Sequence, residues 1–201
     1  VEACGELGIE ALTLYAFSTE NWRRPAAEVG GLMNLFRAYF EREVETLAAR
    51  GVRVRFIGDR ARFAPDIRAM MEATESRTAA NDALTLAVAM NYGARAEIAA
   101  AARRLAAEVS AGDRALDAVD EAALTGALDT EGMPELDLMI RTSGEQRLSN
   151  FLLWQAAYAE LVFAPETWPD FRRAALHRAL QTYQARDRRF GAVAPGMAGR
   201  P

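Results

Sequence analysis

Apolar runs of strand length alternate with longer segments of helical periodicity along this chain. The predicted strands span residues 11–17, 52–57, 84–90, 136–140 and 160–163, and the predicted helices span residues 29–50, 65–79, 94–110, 119–128, 150–158 and 169–188. A chain that returns to a strand after each helix can cover both faces of its sheet when the strands run parallel. The pattern therefore predicts an α/β fold of a single domain, with a mainly parallel central sheet flanked by helices.

The composition argues against several classes of function. A formal net charge of −4 at pH 7 disfavours a nucleic-acid-binding protein, because such a protein needs a concentrated basic face. The single cysteine, Cys4, excludes an internal disulfide, and with one histidine, His177, it cannot make a zinc cluster. His177 lies in an amphipathic helical segment, where a surface position is favoured over a catalytic one. A divalent ion would therefore need oxygen ligands.

The sequence contains no visible membrane or targeting segment. No apolar run approaches the ~18 residues of a membrane span, and no signal peptide is present, so we expect a cytoplasmic protein. Residues 1–8 are typical of the end of a helix that stops at a glycine. The chain is therefore expected to begin inside its domain.

The ten residues that begin at Arg141 join the end of a predicted strand to the start of a predicted helix. Free backbone N–H groups and the helix dipole favour an anion there, and Ser149 adds a hydroxyl at the predicted cap. Arg141 and Arg147 supply forked donors that match phosphoryl oxygens. The alternative is that either arginine pairs with Glu145 or Asp137. The chemistry favours a diphosphate-binding loop.

Residues 18–25, after the first predicted strand, bring hydroxyl, amide, indole and guanidinium groups together. The alternative is a capping turn that uses Ser18 or Asn21. Trp22, followed by two arginines and a proline, is unusual for a turn alone and favours a functional site. By contrast, residues 91–95 are most simply a turn from strand to helix.

Two further features have open interpretations. The apolar residues of 32–47 cover more than one helix stripe, which indicates either a helix enclosed by the core or one wall of an apolar cavity. Glu160, at the start of a short strand, is either a paired acid at the edge of the core or a metal ligand. The sequence by itself favours the paired acid.

Four segments together resemble the cis-prenyltransferase family, which includes bacterial undecaprenyl diphosphate synthase. They are Tyr-Ala-Phe-Ser-Thr-Glu-Asn-Trp-Arg-Arg-Pro at 15–25, Ile-Gly-Asp at 57–59, Asn-Tyr-Gly at 91–93, and residues 140–155 with 157–160. The resemblance implies a domain over residues 1–192, N-terminally incomplete, and a flexible tail at 193–201. It also implies the undecaprenyl diphosphate synthase-like form of the α/β fold.

The resemblance implies a transferase that condenses isopentenyl diphosphate with an allylic diphosphate, such as farnesyl diphosphate, in cis. Its product is a long-chain polyprenyl diphosphate, the type of lipid that carries cell-wall precursors. The family uses magnesium and forms homodimers, and peripheral contact with the membrane through the lipid product is expected. Glu160 matches the carboxylate that helps to position Mg²⁺.

The resemblance also implies roles for single residues. Arg141, Arg147 and Ser149 would hold isopentenyl diphosphate, and Ser18 and Asn21 match positions at the reacting centre. The remaining matches fall at the mouth of the lipid cleft (Trp22, Arg24, Glu28), in the walls of the lipid tunnel (Ala16, Leu84, and the helix with Phe36 and Phe40), and in the C-terminal Arg-any-Gly element (Arg189, Gly191).

The chain departs from the family pattern in three places. Gln146 stands where relatives often have His, and Ser143 stands where many have Gly. The family's Asp-Gly-Asn-Gly-Arg motif, whose Asp binds magnesium, does not occur in these 201 residues. We therefore expect this fragment by itself to be inactive. A non-catalytic partner subunit, or an unrelated α/β phosphate-binding protein, is the alternative.

Overall fold

The computed structural model describes residues 1–186, which fall into two compact units. The first unit is Val1–Pro134, and the second begins at Glu135. The single domain over 1–192 stays a prediction, and its predicted tail at 193–201 lies outside the described residues.

The first unit is built on a three-stranded parallel sheet with the order β1-β3-β2. The strands are β1 (Ala11–Ser18), β2 (Val52–Ile57) and β3 (Leu84–Tyr92). β3 lies in the middle and pairs with both neighbours, so seven of its nine residues are buried. A parallel strand covered on both faces requires such a continuous apolar run. Each strand contains the predicted residues, and β1 and β3 extend one and two residues further.

The helices of the first unit are α1 (Glu2–Glu6), α2 (Ala26–Ala49), α3 (Pro65–Thr78), α4 (Ala94–Ala111) and α5 (Glu121–Gly126). α4 ends where Gly112 takes a φ of 82°, a left-handed conformation that stops a helix. At the start of α5, the Asp120 side chain accepts a hydrogen bond from the Ala123 N–H. Within the described residues, no helix combines the length and apolar character needed to cross a membrane.

The second unit contains β4 (Leu138–Arg141), β5 (Glu160–Phe163) and α6 (Arg173–Gln184). β4 and β5 pair in parallel, so all five predicted strands are present and every strand pair is parallel. They are divided between a three-stranded and a two-stranded sheet. β4 ends one residue later than predicted, which makes Arg141 its last residue.

The predicted helix at 150–158 is wrong. Ser149, Asn150 and Leu152 have φ values of 50°, 62° and 45°, which are left-handed and cannot continue a right-handed helix. Only a short 3₁₀ turn, Gln155–Tyr158, forms in this segment. Apolar periodicity alone cannot reveal such a break.

Gly58 lies where the ends of β2 and β3 approach each other closely. Its φ is 107°, and a Cβ placed on it would lie 2.2 Å from the Met90 carbonyl oxygen. The Gly58 N–H donates to Asp129 Oδ2 at 2.8 Å, and the Asp59 N–H donates to the Asn91 carbonyl at 3.3 Å. Only glycine allows the ends of β2 and β3 to meet in this way.

We expect Gly58→Ala to lower the free energy of unfolding by about 3 kcal/mol or more, because backbone must move to admit the methyl group. Gly31→Ala is the matched control, because Gly31 lies inside α2 with nothing within 4 Å of an added Cβ. That control should gain about 0.5–1 kcal/mol. Urea denaturation measures both, and equal stability of Gly58→Ala and the wild type would contradict the close approach.

A second prediction concerns Ser143, which has a φ of 69° in the second unit. A left-handed residue with a side chain is strained by about 1–2 kcal/mol, partly offset by the larger backbone entropy that glycine loses. Ser143→Gly should therefore stabilise the unit by roughly 0.5–1 kcal/mol in thermal unfolding. The neighbouring Thr142 does not have a positive φ, so Thr142→Gly should be destabilising. A lower melting temperature for Ser143→Gly than for Thr142→Gly would refute the backbone strain at Ser143.

Candidate active site

The turn after β1 contains the two residues that were predicted to be catalytic. A 3₁₀ turn, Thr19–Arg23, follows Ser18, and the Ser18 N–H donates to Asn21 Oδ1 at 2.9 Å. The capping turn proposed as the alternative is therefore present. Asn21 Nδ2 has no partner among residues 1–186, so the cap leaves this donor available to a ligand.

Trp22 belongs to the same turn, and residues outside the turn contact its ring on several sides. Its ring lies 5.0 Å from Phe17 and 5.5 Å from Phe63 between centroids, and the Arg62 guanidinium lies 4.5 Å from its centre. Its indole N–H donates to Asn91 Oδ1 at 2.7 Å. The ring therefore has a defined orientation, which a side chain at a flexible loop would lack.

Asn91 is the residue of this site that the sequence did not reveal. It is 5% exposed, and its Nδ2 donates to the Asp59 carbonyl at 2.8 Å. The Asn-Tyr-Gly segment was interpreted as a turn and as part of the family resemblance, with no role for Asn91 itself, and the φ of 50° at Asn91 agrees with a turn. The available signal was the Asn itself, since Asn is among the few residues that tolerate a left-handed backbone. Its partner Trp22 is 69 positions away in sequence, so the contact could not be predicted.

Arg24 and Glu28 form an ion pair at the start of α2, with 2.7 Å between Arg24 Nη1 and Glu28 Oε1. The two side chains are 47% and 49% exposed. An exposed pair of this kind contributes about 0–1 kcal/mol, so a charged ligand could displace it at small cost.

A small apolar cavity lies between α2 and the sheet. It has a volume of about 20 Å³, room for about one water-sized sphere. Six of its lining residues are Phe40, Val44 and Leu47 of α2, Val54 and Phe56 of β2, and Leu86 of β3. The cavity-wall interpretation of α2 is therefore consistent with the structure, although the space is small. Among the predicted tunnel residues outside α2, Leu84 is 1% exposed in the core and Ala16 is exposed.

Two ion pairs on the surface connect α2 to α3. Arg37 Nε lies 2.6 Å from Asp66 Oδ2, and Arg77 Nη2 lies 2.8 Å from Glu45 Oε2. The hydrogen bond from Arg37 lowers the pKa of the Asp66 carboxyl below its usual range. The wall formed by α2 is thus held to its neighbour partly by surface contacts that salt weakens.

Arg141, in the second unit, has a buried donor without an acceptor. Its carbonyl accepts from the Ala164 N–H at 2.7 Å, which ties the end of β4 to the end of β5. Its Nε is buried and has no hydrogen-bond partner in the described part of the chain. The alternative pairing with Glu145 or Asp137 is therefore absent. Leaving a buried donor unpaired costs about 1–3 kcal/mol, which an anionic oxygen would recover.

The loop after Arg141 does not present a helix N-terminus. Ser143 and Gly144 are consecutive left-handed residues with φ values of 69° and 66°. Their N–H groups donate to the carbonyls of Glu166 and Ala164 at 2.7 and 2.9 Å. Since no α-helix starts at Ser149, the predicted contribution of a helix dipole and cap is wrong. The Ser143 and Gly144 amides are therefore occupied within the unit and are not free to bind an anion.

Arg147 forms the ion pair with Glu145 that the sequence analysis gave as the alternative. It is 62% exposed and pairs with Glu145, which is 42% exposed. Arg147 is thus accessible, and its pair with Glu145 belongs to the weak, solvent-screened class. Ser149, also exposed, has the left-handed φ of 50°.

Glu160 begins β5 and forms an ion pair. Its Oε2 accepts from Arg186 Nη1 at 2.6 Å, and the Glu160 side chain is 23% exposed. Within residues 1–186, no group of three or more His, Cys, Asp or Glu side chains is placed to hold a metal ion. Glu160 could still offer one oxygen to Mg²⁺, which commonly takes one or two carboxylates with substrate phosphates and waters. Arg189 and Gly191 lie outside the described residues.

Comparison with known proteins gives consistent results. The prenyltransferase family model, described as undecaprenyl diphosphate synthase, matches residues 1–191. An isoprenyl transferase of Agrobacterium fabrum is 52% identical over 198 residues, which are 98% of this chain and 80% of that protein. The ditrans,polycis-undecaprenyl-diphosphate synthase of Pseudomonas aeruginosa, named as (2E,6E)-farnesyl-diphosphate specific, is 52% identical over 191 residues. These cover 95% of this chain and 76% of that protein.

Two solved structures share the fold. Lavandulyl diphosphate synthase from Lavandula x intermedia, in complex with dimethylallyl diphosphate, has a TM-score of 0.90 and 36% identity over 94% of this chain and 82% of its own. A probable undecaprenyl diphosphate synthase from Campylobacter jejuni has a TM-score of 0.83 and 38% identity over 94% of this chain and 88% of its own. With the match to the family model and the relatives at about half identity, these similarities show that the chain belongs to the undecaprenyl diphosphate synthase family of cis-prenyltransferases.

Proposed function

We propose that the protein elongates prenyl chains by condensing isopentenyl diphosphate with an allylic diphosphate in cis, to give a long-chain polyprenyl diphosphate. The observation that carries the proposal is the buried, unpaired Nε of Arg141 at the end of β4. A diphosphate oxygen is the kind of acceptor that this donor requires. The name of the Pseudomonas aeruginosa relative supports farnesyl diphosphate as the primer.

Arg141, Arg147 and Ser149 are assigned to isopentenyl diphosphate. Arg147 would exchange its exposed pair with Glu145, which contributes about 0–1 kcal/mol, for charge-assisted bonds of about 1.5–3 kcal/mol each. Arg141 gives up no ion pair among the described residues, so its bond to the diphosphate has no such competitor. The exchange therefore favours the bound diphosphate.

Ser18 and Asn21 are assigned to the condensation itself, and Trp22 to the adjacent mouth of the lipid cleft. A carbon–carbon bond forms between the two substrates, the allylic carbon–oxygen bond breaks, the diphosphate leaves, and one proton is lost. The free Nδ2 of Asn21 can donate to a substrate oxygen and orient the carbon that loses the proton. Arg24 and Glu28, exposed at the start of α2, are assigned to the mouth of the lipid cleft.

The growing chain is assigned to the space between α2 and the sheet. The present volume of about 20 Å³ is far below the roughly 300–1,000 Å³ of an ordinary ligand pocket. We infer that α2 moves outward as the chain grows, and its exposed ion pairs with α3 oppose such a movement only weakly. An apolar environment would also exclude the water that traps cationic intermediates. Ala16, Leu84, Phe36 and Phe40 are the proposed walls.

Glu160 is assigned to Mg²⁺, which would neutralise charge on a diphosphate. One carboxylate with phosphate oxygens and waters is a normal magnesium environment, so the available donor fits. The ion would compete with Arg186 for Glu160 Oε2, and the partial exposure of both side chains makes that exchange feasible. Magnesium binding should thus loosen the contact of Arg186 with β5.

The assembly and location follow the family resemblance. We infer a homodimer in which Arg189 and Gly191 reach an active site, and a cytoplasmic protein that touches the membrane through its lipid product. The relatives are named as enzymes, so nothing favours a non-catalytic partner subunit.

In the full-length protein, Arg147→Ala should raise the KM for isopentenyl diphosphate by about 10- to 100-fold, the equivalent of one lost charge-assisted bond. Arg147→Lys should fall between this variant and the wild type, because lysine keeps the charge but lacks the fork. The KM for farnesyl diphosphate should stay constant. Arg103→Ala, which removes an exposed arginine of α4, is the control. Unchanged steady-state kinetics in Arg147→Ala would exclude the assignment.

Glu160→Gln should raise the Mg²⁺ concentration for half-maximal activity by about tenfold or more, because the neutral amide is a weaker magnesium ligand. Arg186→Ala should lower that concentration, because it removes the competing cation. The control is Glu166→Gln, since Glu166 also pairs with an arginine, Arg178, in the same unit. Equal magnesium titrations for Glu160→Gln and Glu166→Gln would rule out Glu160 as a ligand.

A further inference from the structure

Asn91 uses both ends of its side-chain amide in the first unit. Its Oδ1 accepts from Trp22 Nε1 at 2.7 Å, and its Nδ2 donates to the Asp59 carbonyl at 2.8 Å. An indole N–H can only donate, and a carbonyl can only accept. The orientation of the amide is therefore determined by its partners, and an inverted amide would place two donors and two acceptors against each other.

The backbone of Asn91 is equally constrained. Its φ is 50°, and its carbonyl accepts from the Asp59 N–H at 3.3 Å. The residue is 5% exposed, so water can hardly replace a lost partner. Asn91 thus joins the end of β3 to the end of β2 and to the turn that follows β1.

The turn after β1 has its own cap between Ser18 and Asn21, and Asn91 anchors it to the sheet through Trp22. It is a single 3₁₀ turn of five residues, Thr19–Arg23, and turns of this length have little stability of their own. Phe17, Phe63 and the Arg62 guanidinium contact the Trp22 ring and limit its position, and the bond to Asn91 is the one hydrogen bond of its indole N–H among the described residues. Asn21 precedes Trp22 directly, so a displacement of the Trp22 backbone displaces Asn21 as well.

We propose that Asn91 is a positioning residue, which holds Trp22 and thereby the turn with Ser18 and Asn21 in the geometry that condensation requires. The proposal rests on the function proposed above. Asn91 itself does not have to touch a substrate. A displacement of reacting groups by about 1 Å can reduce a rate about 100-fold, so the loss of this anchor should affect kcat. The KM for isopentenyl diphosphate, which is assigned to the second unit, should change little.

The test uses Asn91→Gly in the full-length protein, because glycine accepts the left-handed backbone and removes only the side chain. We expect kcat to fall by about 10- to 100-fold while the KM for isopentenyl diphosphate changes less than about threefold. The control is Asn81→Ala. Asn81 Nδ2 also bridges two carbonyls, of Ala48 and Val52, but at the opposite end of the sheet. This control should lose stability and keep its kcat.

A spectroscopic measurement separates positioning from a general loss of structure. In a background with Trp154→Phe and Trp168→Phe, Trp22 is the only emitter among the three tryptophans. Asn91→Gly should shift its emission and increase its quenching by acrylamide, whereas Asn81→Ala should do neither. A reduced kcat with unchanged Trp22 emission would overturn the proposal, as would an unchanged kcat.

Trp22→Phe provides a second route if Asn91→Gly does not fold. It keeps an aromatic ring against Phe17 and removes the N–H donor, so its kcat should fall in the same way. In the double variant the two losses should not multiply, because both break one interaction. Full activity of Trp22→Phe, or multiplicative losses, would refute the proposal. An inactive wild type would instead refute the proposed function, and Trp22 emission would still decide whether Asn91 holds the indole.

Discussion

The contact between Gly58 and Met90 is the constraint on which the arrangement of the first unit depends. The β2 and β3 backbones approach so closely there that a single methyl group would overlap the Met90 carbonyl. This approach brings Asp59 within hydrogen-bonding distance of Asn91, and Asn91 in turn reaches Trp22. A glycine that directly follows one strand thus influences the position of an indole that follows another strand. Parallel strands collect such side chains at their carboxyl ends, which is where ligands bind in this class of fold.

In the second unit, backbone strain and an unpaired hydrogen-bond donor occur together at the proposed ligand site. Four residues with side chains, Ser143, Ser149, Asn150 and Leu152, have positive φ values within ten positions. Each such residue is unfavourable by about 1–3 kcal/mol and persists only when its surroundings hold it. Next to them, Arg141 has a buried donor without an acceptor. A segment that served stability alone would avoid both features, so their proximity supports a binding role for this loop.

The sequence predicted the regular elements well and the irregular segment poorly. All five strands were predicted from apolar runs of strand length, and the long helices from a periodicity that extends over several turns. The helix at 150–158 was wrong because its apolar residues resemble a helix face, while single φ values decide the backbone. The role of the Arg141 side chain as an anion donor stays a prediction, whereas the helix N-terminus predicted beside it was wrong. Asn91 was missed because its role depends on a partner 69 positions away.

The charged candidate residues differ in a way that suits a reaction with two anionic substrates. Arg24, Arg147 and Glu160 each have a partner of opposite charge, namely Glu28, Glu145 and Arg186. These pairs are partly or largely exposed, so each contributes little to stability and can open at small cost. Such pairs also keep the side chains near their places and limit the entropy lost on binding. Arg141 has no such partner among the described residues, and its Nε is buried. We therefore expect the first contact of a diphosphate to be made by exposed Arg147, and its final orientation to be determined by Arg141.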